Sequence, residues 1–156
     1  MMKVRNIQMV IGLVFVFLFA NLACAENWIS YDVSKTGTKY YEKSSIKEVG
    51  KNIMSVWTIN VYNQEGKKQD FAILKKKNKA PKDPEMLHCT SMILEFDCAS
   101  QKFRVTAWTI YDKEKHVIYS APASINKWQA VAPKTAAAKL KNVVCKSGNI
   151  SKAKKK

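Results

Sequence analysis

The sequence has little of what marks the common enzyme classes. Its five glycines form no phosphate-binding loop, and it contains no HExxH, CxxC or GxSxG motif. His88 and Cys89 are neighbours on a predicted strand, where they point to opposite faces, and His116 lies far along the chain. We therefore predict no catalytic residue, no cofactor and no metal site, which leaves a binding or structural role.

The sequence also lacks an apolar run long enough to span a membrane. Its longest run covers residues 9–20, whereas a spanning helix needs about 20 residues. Lys3 and Arg5 precede this run, and the small residues Ala23 and Ala25 follow it. This layout predicts a Sec signal peptide, residues 1–25, that is cleaved after Ala25.

Two alternatives to simple cleavage stay open. Cys24 is a candidate for lipoprotein acylation, but Asn21 stands where the lipobox needs an aliphatic residue. An uncleaved anchor is the other alternative. Cleavage is the prediction that the residues favour, and it indicates a periplasmic, cell-surface or secreted protein with no transmembrane segment after processing.

Acidic residues are scarce, with 12 Asp and Glu against 27 Lys and Arg, and the formal net charge is +15. Loss of Lys3 and Arg5 with the signal peptide lowers it to +13. The excess lies in 67–82, which holds seven lysines, and in 146–156, which holds five. We predict a domain over 26–146 that is nearly neutral outside 67–82, and a disordered, lysine-rich tail over 147–156. Nucleic acid is not an expected partner after export.

The cysteines give a second constraint. Cleavage after Ala25 leaves three, Cys89, Cys98 and Cys145, so one must stay free or pair with another chain. Cys89 and Cys98 lie at the two ends of one predicted strand and on opposite faces, so they cannot bond each other. Cys98 shares its parity with Phe96 and the other apolar residues. It is therefore the candidate that bonds Cys145, and Cys89 is predicted to be a free thiol or the link of a dimer.

Hydrophobic periodicity predicts an α+β fold. We expect an antiparallel meander of about six strands, covered on one face by a C-terminal α-helix. The helix opens at Pro133 and ends just before Gly148. Residues 64–67 are predicted to form a turn, and 69–77 a short helix or an edge strand. The predicted strands are 28–33, 38–42, 52–62, 89–97, 102–112 and 117–120.

Tryptophan is the other conspicuous residue. On half-buried strands Trp usually belongs to the core. Among the strand tryptophans, Trp108 is the best candidate for exposure, because it shares its parity with Arg104, Thr106 and Asp112 rather than with Phe103 and Val105.

Several short motifs occur in a characteristic order between residues 27 and 145. They are Trp28 with Tyr31, Tyr40-Tyr41 before Ser44-Ser45-Ile46, Trp57, Phe96-Asp97-Cys98, Lys102-Phe103-Arg104, Tyr111-Asp112 and Cys145. In this order and spacing the chain resembles the surface-adhesin protein E family of Gram-negative bacteria. Cys89 and the poor lipobox are departures from the family pattern.

The resemblance implies an antiparallel sheet braced by a C-terminal helix, with a disulfide between Cys98 and Cys145. Family adhesins bind host-matrix proteins such as vitronectin and laminin through a basic segment that leads into the cysteine-bearing strand. The matching stretch here is 75–104. The candidate ligand-binding residues are Lys75, Lys76, Lys77, Lys79, Lys82, Lys102 and Arg104.

Two functions follow from the sequence as hypotheses. The first is an exported, non-catalytic module that binds an extracellular protein, an anionic glycan or lipopolysaccharide through these basic residues. The second is a periplasmic structural or envelope-accessory domain that has no ligand of its own, in which the lysines only confer solubility. Inhibition of a lysozyme-like enzyme is disfavoured, because such enzymes are themselves basic.

Overall fold

The computed structural model describes residues 27–122 and 127–153. The predicted signal peptide and the last three residues lie outside this part of the chain. Within it, two α-helices and eight strands follow one another, with short 3-10 turns at Lys43–Ser45 and Pro84–Met86. The elements are β1 (Trp28–Ser34), β2 (Gly37–Glu42), β3 (Lys47–Gly50), β4 (Ile53–Tyr62), α1 (Gln64–Lys76), β5 (Cys89–Asp97), β6 (Lys102–Tyr111), β7 (Val117–Pro122), β8 (Gln129–Ala130) and α2 (Ala136–Ala153).

All strands join one antiparallel sheet in the order β1-β2-β4-β5-β6-β7. The short strands β3 and β8 lie off this path and pair with β4 and β6. The predicted α+β class and meander are thus confirmed. Alternating apolar residues explain why the central strands form. Met54 and Val56 of β4 pair with Phe96 and Leu94 of β5, and all four are buried on one side of the sheet.

Helix α2 covers one half of this face. Leu140 and Val144 are fully buried against Tyr41, Val56 and Phe96. Thr135 caps the helix, because its Oγ1 accepts a hydrogen bond from the amide of Ala138 at 3.2 Å, so α2 begins at Ala136 rather than at Pro133. The predicted disulfide between Cys98 and Cys145 is present, with Cα atoms 5.7 Å apart, and it ties α2 to the end of β5.

The predicted end of α2 before Gly148 is wrong, because the helix continues to Ala153. A single glycine costs a helix about 1 kcal/mol, and no proline follows it here to force a stop. Residues 147–153 are therefore helical where a disordered tail was predicted, and residues 154–156 lie outside the described part.

Helix α1 covers the other half of the same face. Its Leu74 is fully buried in a second apolar cluster with Tyr62, Leu87 and Ile110. The turn predicted at 64–67 is wrong, because these residues form the first turn of α1. Asn63 caps them through Oδ1, which accepts a hydrogen bond from the amide of Gly66 at 3.0 Å.

Trp108 is not on the exposed face, contrary to the expectation from parity. The pairing of β5 with β6 shifts between Ile93 and Leu94, which leaves Thr106 as an extra, bulged residue. The bulge reverses the alternation, so Trp108 lies opposite Met92 on the helix-covered face and packs against the cluster beneath α1.

Among the described residues, neither helix is long and apolar enough to cross a membrane.

Candidate functional site

The largest concentration of charge lies where α1 ends. The helix closes with two hydrogen bonds typical of a Schellman motif, from the amide of Lys79 to the carbonyl of Leu74 at 2.9 Å and from Asn78 to Lys75 at 3.0 Å. Asn78 supplies the left-handed residue that this motif needs, with φ 55°. Since Leu74 is fully buried, the closing turn is fixed against the core while the residues around it project outward.

Five lysines lie between the last turn of α1 and the loop that follows it. We call this stretch, residues 75–82, the lysine segment. All five side chains are exposed, and none forms an ion pair with any residue that the structure describes. Lys75 and Lys76 lie in the last helical turn, where positive charge is favoured by the helix dipole. The five members are Lys75, Lys76, Lys77, Lys79 and Lys82.

Lys67, about two turns of α1 before Lys75, has a different role. It is only 9% exposed, and its Nζ lies 2.6 Å from the Oε2 of Glu85. The hydrogen bond from Lys67 lowers the pKa of Glu85. Lys67 therefore joins α1 to the turn at Pro84–Met86, and its charge is already compensated.

Lys102 and Arg104 do not join the lysine segment. Both lie at the start of β6, where Lys102 pairs with Asp97 and Arg104 pairs with Glu95. Six residues of strand separate Arg104 from Ile110, which packs beneath α1, and this corresponds to about 20 Å. The structure thus divides the seven predicted binding residues into two groups, the five exposed lysines from the end of α1 onward and the pair at the start of β6.

Arg104, like Lys67, already has partners within the domain. Its Nη2 and Nε lie 2.6 and 2.8 Å from the Oε2 of Glu95, and its guanidinium carbon lies 4.5 Å from the centre of the Trp128 ring. This group lies on the sheet face opposite the helices. Charge counting missed Glu95 and Trp128, although cross-strand parity of Glu95 with Arg104 in the β5–β6 hairpin was a usable signal.

Cys89 is a free, half-buried thiol at the start of β5. Burial raises its pKa, so the reactive thiolate is disfavoured. A dimer linked through Cys89 stays a prediction.

The turn between β6 and β7 contains a group that the sequence reasoning did not single out. The ligand atoms of Asp112, Glu114 and His116 lie within 4.8 Å of one another. Burial on its own would raise the pKa of Asp112, but hydrogen bonds from the amide and ring of His116 outweigh it and lower this pKa. The contacts within the turn account for its geometry without an ion.

Comparison with known proteins gives one match. A family model described as surface-adhesin protein E matches residues 28–146, from the first residue of β1 into α2. The match covers every strand that the structure describes, both cysteines of the disulfide and the whole lysine segment. No curated protein and no solved structure matches the chain.

Proposed function

The chain belongs to the surface-adhesin protein E family, and on that premise we propose that it is a non-catalytic binding module that uses its lysine segment. Membership of a surface-adhesin family indicates an exported or surface protein. The proposed partner is an extracellular protein with an acidic surface, an anionic glycan or lipopolysaccharide.

One observation carries this proposal. Five exposed lysines lie within eight residues, and none has an ionic partner in the described parts of the chain. Like charges held this close repel one another, so an anionic partner gains from all five at once. Their side chains project from a turn that the buried Leu74 fixes in place, which limits the ordering needed on binding.

Charge is expected to dominate the contact, so salt is the first test. At physiological ionic strength charges are screened over about 8 Å, and at 1 M salt over about 3 Å. Binding to immobilised heparin, to lipopolysaccharide vesicles and to vitronectin or laminin is measured over this range. We expect the protein to bind at least one of these probes, with an affinity that falls steeply as the salt concentration rises.

The decisive comparison uses two variants that lose the same charge. In the first, all five lysines of the segment become glutamine, and we expect affinity to fall at least about tenfold. In the second, five exposed lysines elsewhere become glutamine, and affinity should change far less. The second set is Lys35, Lys43, Lys47, Lys51 and Lys113. Equal losses in the two variants would mean that net charge alone drives binding, and the proposed site would be lost.

A separate variant tests the other predicted residues. The pair Lys102→Gln and Arg104→Gln removes charge at the opposite end of β6. If the lysine segment acts alone, this pair leaves affinity within about twofold, because about 20 Å of strand separates Arg104 from Ile110, which packs beneath α1. A loss as large as that of the segment variant would show that one extended ligand contacts both groups.

The alternative, an envelope-accessory domain without a ligand, has one observation in its favour. Lys75 and Lys76 end α1, where positive charge stabilises the helix by about 0.3–1 kcal/mol. Under this alternative the five-lysine variant changes only the unfolding free energy, and no probe binds at any salt concentration.

A further inference from the structure

A polar cleft separates the two apolar clusters on the helix-covered face. It has a volume of about 210 Å³ and lies between α1 and the sheet. Its floor is a row of polar residues on three neighbouring strands, since Asn60 of β4 pairs with Lys39 of β2 on one side and with Thr90 of β5 on the other. A sheet face that served only packing would carry apolar residues in this row.

Asn60 is the most informative residue of the floor. It is only 6% exposed, yet its Oδ1 has no hydrogen-bond partner among the described residues. Leaving a buried amide oxygen unpaired costs free energy, and each such group calls for an explanation. Asn60 lines the cleft, so a ligand that displaces its side chain slightly gains this oxygen as an acceptor.

Helix α1 forms the wall of the cleft with Gln69 and Asp70. Tyr62 donates its hydroxyl hydrogen to the Oδ2 of Asp70 and so fixes the carboxylate, which leaves Oδ1 available to accept further bonds. Gln69 is exposed and adds a second amide, which both donates and accepts.

Lys39, the charged residue on the floor, already has partners. The Nζ of Lys39 lies 2.6 Å from the Oγ of Ser34 and 3.8 Å from the Oδ2 of Asp32. An anionic ligand would therefore find no free cation here.

Trp108 provides a rigid aromatic side. Its Nε1 donates to the Oγ1 of Thr90 at 2.8 Å, and its ring packs edge-on against Tyr119 with the centres 5.2 Å apart. Both contacts hold the indole in one orientation at the edge of the cleft. An aromatic face held this way is suited to the C–H groups of a ring-shaped ligand.

We propose that this cleft binds a single neutral sugar residue. Two amides and a carboxylate provide the paired donors and acceptors that neighbouring hydroxyl groups need, and Trp108 provides the apolar side. Drug-sized ligands occupy about 300–1,000 Å³, so a 210 Å³ cleft takes something smaller. This site goes beyond the proposed function, because it is separate from the lysine segment and requires no net charge on the ligand.

The test is titration of the full folded domain with free monosaccharides, followed by ¹H–¹⁵N NMR. The probes are D-glucose, D-galactose, D-mannose and N-acetyl-D-glucosamine, with glycine and inorganic phosphate as zwitterionic and anionic comparisons. At least one sugar is expected to shift the side-chain signals of Asn60, Gln69 and Trp108 together. If no sugar shifts them, or if glycine or phosphate does so instead, the proposal is wrong.

Two variants connect the signals to the site. Gln69→Ala, at an exposed position, should weaken sugar binding about tenfold, whereas Gln129→Ala on β8 should leave it unchanged. Asn60→Leu should abolish binding while the protein remains folded and at least as stable, because it removes an unpaired buried amide. If Asn60→Leu prevents folding, the Gln69 variant decides, and unaltered binding in it would overturn the proposal.

The same chemistry has two sources, a free sugar and the end of a glycan chain. The sugar that binds is compared with an oligosaccharide that ends in it. Binding of both supports a site for glycan ends, and binding of the monosaccharide alone supports a site for a free sugar. The lysine-segment variant should bind either ligand normally, so failure of one proposal leaves the other standing.

Discussion

The two helices lie on the same face of the sheet but are attached to it differently. Helix α2 buries Leu140 and Val144 completely, is bonded to β5 by the Cys98–Cys145 disulfide and forms an ion pair from Lys139 to Asp32 at 2.6 Å. Helix α1 buries Leu74 completely and packs the partly exposed Phe71 against the same cluster, and it adds polar contacts such as that between Tyr62 and Asp70.

This difference suggests that α2 has a structural role, whereas the candidate sites lie at α1. Beneath α2 the sheet face is apolar and closely packed, as a structural element requires. Beneath and beyond α1 lie the features that packing does not need, namely the polar cleft and the lysine segment. Both proposed sites therefore use α1, the helix without a covalent attachment.

The largest expected effect comes from removing the covalent attachment of α2. The double variant Cys98→Ser and Cys145→Ser opens a link across a sequence separation of 47, which should lower the free energy of unfolding by about 4 kcal/mol. Urea unfolding measures it, with Cys89→Ser as a control that leaves the disulfide in place. A loss below about 1 kcal/mol would show that packing alone holds α2, and the contrast between the helices would shrink.

The next effect concerns how closely α1 approaches the β1–β2 turn. A Cβ at Gly66 would lie 2.0 Å from the carbonyl oxygen of Thr36, and backbone cannot easily move away. Gly66→Ala should lower the free energy of unfolding by about 1–3 kcal/mol, although alanine is the better helix former. Lys68→Ala, at an exposed position in the same helix, should change it by less than about 0.5 kcal/mol. Similar values for the two variants would mean that α1 shifts freely on the sheet.

Gly66 also illustrates what the sequence could and could not predict. The central strands, α2 and its disulfide follow from local alternation and parity, and all were predicted. The close approach of Gly66 to Thr36, thirty residues earlier, explains a glycine in the first turn of α1, whereas local signals interpreted that glycine as part of a turn. The position of Trp108 depends on a bulge at Thr106, which periodicity does not reveal.

The candidate sites divide in the same way. The lysine segment is a run in the sequence, so charge counting found it. Lys102 and Arg104 were grouped with it by the family resemblance, whereas the sheet places them at the start of β6. The cleft combines residues from four strands and one helix, and only the register of Lys39, Asn60 and Thr90 brings its floor together.

A smaller effect should appear in the pH dependence beneath α1. Burial raises the pKa of Asp70 above its ordinary value of 3.8, against the opposing hydrogen bond from Tyr62. The folded state thus favours the protonated carboxyl, and this contribution is present below about pH 3.8 and is lost as pH rises through the raised pKa. Asp70→Asn should therefore become more stable than the parent protein as pH increases from 3 to 7.

Urea unfolding of both proteins at pH 3, 5 and 7 measures this difference. Glu42 and Asp97 have lowered pKa values, so they act in the opposite direction, but they contribute equally to both proteins and cancel. Glu65→Gln, at an exposed position of α1, serves as a control with no such trend. A variant that is less stable than the parent at pH 7 would show that the ionised carboxylate stabilises the contact with Tyr62.

The smallest effect comes from the two asparagines that flank α1. Substitution by glycine should change the free energy of unfolding in opposite directions at the two ends of the helix. Asn78 holds a left-handed conformation, φ 55°, that glycine adopts without strain, so Asn78→Gly should raise the free energy of unfolding by about 0.5 kcal/mol. Asn63→Gly removes the side chain that caps the amide of Gly66 and should lower it by a few tenths of a kcal/mol. Urea midpoints resolve both changes. If Asn78→Gly instead destabilises the protein, the closing turn gains more from the asparagine side chain than from backbone freedom, and the lysine segment begins from a turn held by more than Leu74.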